Sequence, residues 1–369
     1  MRGMVGRMIA ALAVGVLAAG CGQPRGASGP AGPVSRSAQA APLVAVLEAP
    51  FGSVPNAIRL VGLDGVEAAR LPLPDDAEAV AVGGHRVLAA GGGRLLGAEL
   101  GATAPTALSP IETVPSDGPD ALVRGLVVSP DGGRWLFATV VQHDDGTLTS
   151  RIHLGGPGLA DRVVVERTAA GRALEPLAWT AGGAVVGDEP VGIGGYVLFR
   201  RTFGSTSLLN LDTGALRPLT GADCAFSDLA ADGAVACIAG GREGPNSGGP
   251  VLLRIQPAAG PAVEVRLPAG IQQAGAAYFS PSGPWVTLAS SPATAEASEP
   301  VTDALVDRRD GSVHPLSESG LIPVAWLPGD RVRADRPSGI EGGDPGTWMI
   351  TPSAGSTRLS TAPLALGLL

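Results

Sequence analysis

The sequence predicts an all-β chain, a β-propeller of seven four-stranded blades with the last blade closed by both termini, and three observations predict it. First, an apolar stretch, a turn and a second apolar stretch recur at residues 79–84, 126–132, 177–183, 229–233, 278–283 and 324–329. Second, with Gly84, Gly132, Gly182, Gly233, Gly283 and Gly329 as markers, the spacings are 48, 50, 51, 50 and 46 residues. A steady period near fifty with short strands throughout is the pattern of a propeller or another repeat array. Third, 55 Gly and 33 Pro in 369 residues argue against long helices, while a hydrophobic content of 45% supports a large core.

The first forty residues stand outside the repeat. Arg2 and Arg7 mark a charged leader, residues 8–19 are an apolar run, and Gly20 precedes Cys21. That is the order of a secretory signal peptide, and the run is too short to span a bilayer. The residues Leu17-Ala18-Ala19-Gly20-Cys21 resemble the lipobox of bacterial lipoproteins. The resemblance implies cleavage before Cys21 and its acylation, hence a lipid anchor on the extracytoplasmic side of the cell membrane. Residues 22–42 are rich in Gly, Ala, Ser and Pro without apolar periodicity, the composition of a flexible tether. The expected organisation is a signal peptide at 1–20, acylated Cys21 and tether at 21–42, and a single propeller domain at 43–369.

The N-terminal end of that domain supplies strand-like residues 43–47 and 57–61, an Asp64-Gly65 turn and a further strand at 66–71. These match the second, third and fourth strands of a repeat that lacks its first. The apolar run at 363–369 falls where the missing first strand belongs. Seven blades follow, with closure that protects the sheet edges; six blades with loose ends are the alternative. Each marker is followed by a short strand such as Trp135-Leu136-Phe137-Ala138 or Trp285-Val286-Thr287-Leu288. Leu211-Asp212-Thr213-Gly214 and Arg309-Asp310-Gly311 read as hairpin turns between third and fourth strands. Tyr196-Val197-Leu198-Phe199 reads as an extra strand inserted in the third blade. Val128-Ser129-Pro130-Asp131-Gly132 and Phe279-Ser280-Pro281-Ser282-Gly283 resemble the turn joining the first two strands in the TolB-like or WD40-like propeller repeat. The resemblance covers most of residues 75–360 and implies the fold, not an activity, because propellers host unrelated functions.

A net charge of −8 and a pI near 5.1 disfavour nucleic acid or an anionic lipid surface as a direct partner. Long connections at 109–120, 187–195, 240–250, 290–300 and 336–346 are expected on one face of the ring, the usual place for binding on a rigid scaffold. Cys224 and Cys237 flank an Asp232-Gly233 turn on adjacent strands, so a disulfide is expected if the register brings them together. His85, His143, His153 and His314 read as solvated turn residues, since none has the spacing of a zinc motif. The acidic residues Asp188, Glu189, Glu243, Glu296, Glu299, Asp335, Glu341 and Asp344 read as solubilising groups in the long connections. Trp135, Trp179, Trp285 and Trp326 sit at or beside marker turns and read as packing between blades. No Gly-x-Ser-x-Gly elbow lies between a strand and a helix, and no metal or cofactor is expected. Two functions remain open: a lipid-anchored, non-enzymatic module that binds a protein, peptide or glycan through the long-loop face, or an extracytoplasmic hydrolase or lyase working in the central channel.

Overall fold

The computed structural model describes residues 42–48, 57–100, 107–113, 121–191, 199, 204–240, 250–292, 300–316, 320–337, 343–352, 355–361 and 364–368. The signal and tether segments, Cys21, and most of the expected extra strand at 196–199 lie outside them. The chain opens with β1 (Leu43–Glu48), β2 (Ala57–Gly62) and β3 (Glu67–Pro72). Blade one is β4 (Ala77–Gly83), β5 (Arg86–Gly91), β6 (Arg94–Glu99) and β7 (Ser109–Thr113). Blade two is β8 (Leu122–Val128), β9 (Trp135–Gln142), β10 (Thr147–Gly156) and β11 (Leu159–Ala170). Blade three is β12 (Arg172–Thr180), β13 (Gly183–Pro190), β14 (Thr206–Leu209) and β15 (Leu216–Thr220). Blade four is β16 (Cys224–Leu229), β17 (Val235–Ala239), β18 (Leu252–Gln256) and β19 (Val263–Arg266). Blade five is β20 (Gln273–Gly275), β21 (Trp285–Ser291), β22 (Thr302–Asp307) and β23 (Val313–Pro315). Blade six is β24 (Ile322–Leu327), β25 (Arg331–Arg336), β26 (Gly346–Thr351) and β27 (Gly355–Ser360).

The seventh blade has the order β28-β1-β2-β3, with β28 (Leu364–Leu368) antiparallel to β1 and Val44 opposite Leu368. This is the expected closure: one strand from the C-terminal end, three from the N-terminal end. All seven blades are antiparallel four-stranded sheets, and the described residues contain no helix.

Burial explains why the strands read as they do. Second strands lie inside the ring and are covered on both faces by neighbouring blades, so β9 and β17 are continuous runs of buried residues. Fourth strands lie at the rim; β3 and β23 are largely exposed. Each of the seven seams between consecutive blades has its own apolar cluster. Trp135 is fully buried between blades one and two, and Trp326 between five and six. Burying a side chain of that size contributes up to about 3 kcal/mol relative to leaving it exposed.

The six marker glycines fall in or beside the turns between first and second strands, as expected. Gly84 and Gly132 explain why this position demands glycine. Both have positive φ, +51° and +70°, and a Cβ on Gly84 would stand 2.1 Å from the Gly132 backbone nitrogen of the next blade. The turns pack main chain against main chain.

Candidate functional site

First strands of consecutive blades abut one another around the axis, as in β4 against β8 and β8 against β12, so their part-exposed residues line the central channel. Nearly every first strand carries a register shift against its neighbour, in blades one to four at Ala77/Ala79, Arg124/Val127, Pro176/Ala178 and Phe226/Asp228, and in blade six at Pro323/Ala325. A bulge re-aims the extra residue. Bulged Glu78 accepts the Val123 backbone N–H at 2.9 Å, and bulged Ser227 accepts that of Ala277 at 3.0 Å, each from the following blade. On the same strands Arg124 Nε lies 3.5 Å from Glu175 Oε2, with side chains 22% and 19% exposed. Glu78, Arg124 and Glu175 thus place three charged groups on blades one to three, whereas blades four to six present Ser227, Tyr278 and Val324. Among the described residues no three His, Cys, Asp or Glu are grouped to hold a metal ion.

The connection between second and third strands is short in blades one and two, at 92–93 and 143–146. It is long in the five blades that follow, at 191–205, 240–251, 292–301, 337–345 and 49–56. All seven leave the ring on one face. The ends of the strands that carry the long ones are polar and buried: Glu189, Thr206, Ser291, Asp303, Asp335, Arg336 and Thr347 are each less than a tenth exposed. Asp188 Oδ1 accepts from both Arg167 and Arg172, and the guanidinium groups of Arg336 and Arg358 lie over the Trp348 ring at 5.0 and 5.8 Å.

Several sequence expectations need correction. Asp188 and Glu189 belong to β13 and Asp335 to β25, not to loops; Asp188 and Asp335 carry hydrogen bonds there, so they do structural work. His153 is no solvated turn residue. It is 1% exposed on β10, stacked on Phe137 with ring centres 4.8 Å apart, and bonded through Nε2 to Thr139 and through Nδ1 to Asp161, both at 2.9 Å. The alternation Thr149-Arg151-His153 against Leu148-Ile152-Leu154 marks position 153 as part of a strand and not of a turn, but puts it on the polar face with part-exposed Arg151 and so does not announce its burial. His85 does lie in a turn, with φ of 65°. The Cys224 and Cys237 sulfurs lie 2.06 Å apart with Cα atoms at 5.4 Å, diagonal neighbours across β16 and β17. Glu243, Glu296, Glu299 and Glu341 lie outside the described residues.

No protein-family profile matches the chain, and no curated protein matches it. Solved structures do. The β-propeller domain of the Trilobed protease from Pyrococcus furiosus is 11% identical, with 85% of this chain and 92% of that one covered and a TM-score of 0.50. That domain is described as having an open velcro topology, whereas here β28 pairs with β1. A puromycin hydrolase is 13% identical over 82% of this chain, with a TM-score of 0.52; the chain spans half of that protein's length. At such identities the likeness is one of fold, and the chain is a seven-bladed β-propeller.

Proposed function

We propose that this chain is an extracytoplasmic lipoprotein, held at the cell membrane through Cys21, whose propeller acts as a non-enzymatic binding or scaffold module for a protein, peptide or glycan. One observation carries this reading. β1 is the second strand of its blade and starts beside the end of β28, so the chain enters the ring at Leu43 on the face of the short first-to-second-strand turns. An anchor upstream of Leu43 therefore attaches on that face and leaves the long-loop face opposite the point of attachment. Long connections on five consecutive blades of a rigid ring then form that opposite surface.

The test places a photo-crosslinking residue at Val191, on the long-loop face, or at Val66, 63% exposed on the opposite face, in the native host. Adducts from Val191 and none from Val66 support the reading; equal yields, or none from either, sink it. Membrane partition of Cys21→Ala against wild type tests the anchor separately, and release of the variant alone is the supporting result.

The charged trio Glu78, Arg124 and Glu175 favours a second reading, a hydrolase or lyase with its site in the channel. The two structural neighbours above carry hydrolase names, which agrees with it. Turnover of peptide, ester or glycoside substrates that Glu175→Gln abolishes while the fold persists would establish it.

A further inference from the structure

Arg333 is the third residue of β25, opposite Ala325 of β24 and Met349 of β26. Strand alternation puts Val332 and Ala334 into the seam with blade five. Arg333 therefore faces the other way, toward the closing blade, where Met349, Leu327, Leu359, Val44, Val46 and Val61 form the apolar cluster. It is fully buried, and its Nε, Nη1 and Nη2 have no hydrogen-bond partner among the described residues. The acid on the same face, Asp335, is two residues on and accepts from Thr347 Oγ1 at 2.9 Å.

A guanidinium cannot escape this by losing its proton: burial lowers its pKa to about 10, still well above neutrality. The Asp335 carboxylate offsets part of this charge, but with all three nitrogens unbonded the buried guanidinium still costs several kcal/mol. The cost falls on the seam where β28 meets β24, β25 and β26, the joint that closes the ring. A compensating ligand must be anionic to offset the charge, compact because Arg333 has no exposed surface, and monovalent because a single guanidinium supplies the donors.

From this geometry we infer that Arg333 binds a small monovalent anion of the halide class, chloride in the cell, between blade six and the closing blade. Bound there, the anion ties β25 to the strands that shut the ring, and ring closure becomes chloride-dependent.

The experiment follows thermal unfolding of the wild-type chain, Arg333→Met and Arg333→Lys in sodium chloride against sodium gluconate at equal ionic strength. In wild type, chloride at a hundredfold excess over its Kd raises Tm by about 4 °C; Arg333→Met shows no chloride-specific rise. Equal rises in wild type and Arg333→Met, or none in wild type, overturn the inference. If Arg333→Met does not fold, wild-type crystals soaked in sodium bromide decide the matter. An anomalous peak within hydrogen-bond reach of the Arg333 nitrogens supports the anion, and a site without one refutes it.

Discussion

Asp228 Oδ2 accepts the backbone N–H of Phe279, fifty-one residues later in the next blade, at 2.8 Å, while its Oδ1 accepts the N–H of Leu229 at 2.8 Å. One side chain thus satisfies two buried donors on either side of the seam between blades four and five. Burial pushes its carboxyl up to about 6 from an ordinary 3.8. Between those values the folded chain holds a proton that the unfolded chain has released. The stability owed to this group is therefore fully present below about pH 4, falls as pH rises toward 6, and is flat above. Urea midpoints measured across that range should show this fall in wild type and lose it in Asp228→Asn. Asp228→Ala strands both N–H groups, at about 1–3 kcal/mol each, and its cost relative to wild type should be larger at pH 4 than at pH 7.

The turn-to-turn contact of Gly84 and Gly132 gives a second prediction with an internal control. Gly146 also has positive φ, +80°, but a Cβ there meets nothing within 4 Å. Gly146→Ala should cost about 1 kcal/mol for the backbone conformation alone. Gly84→Ala adds a collision with main chain and should cost about 2 kcal/mol more, read as the difference in unfolding free energy.

If Cys224 and Cys237 are bonded in the mature protein, neither thiol should alkylate until a reductant is added. Replacing both with Ser should then lower stability by about 3 kcal/mol, the scale for closing a loop of thirteen residues. Alkylation of the native, unreduced chain at either position would show that the pair is open.

His153→Ala removes the ring stacked on Phe137 together with bonds to Thr139 and Asp161. The expected loss is about 2–4 kcal/mol. Denaturant unfolding measures it, and a loss below 1 kcal/mol would mean that the pocket refills at little cost.

The ring was legible in the sequence because turn chemistry is local: a Gly repeats about every fifty residues in the turn between first and second strands, and at Gly84, Gly132, Gly233 and Gly329 the turn holds it at positive φ. The closing blade was legible because residues 43–71 spelled three strands and 363–369 one. The channel and the buried charges were not. Arg124 and Glu175 meet only because β8 and β12 stand side by side around the axis, and no pattern within either strand announces it. Arg331-Val332-Arg333-Ala334-Asp335-Arg336 alternates as a strand with one wet face would. In a propeller the second strand is covered on both sides, so that polar face is buried.

Pairing Val44 with Leu368 has a consequence for the order of assembly. Blades one to six can each form from about fifty consecutive residues, so their contacts are cheap in chain entropy. The seventh must join segments at opposite extremes of the described chain, the slowest class of contact to find. Until it does, β1 offers an unpaired edge to any strand nearby, including one from another copy. The interval of greatest risk for edge-to-edge association is therefore the one in which six blades stand complete and β1 is still waiting for β28.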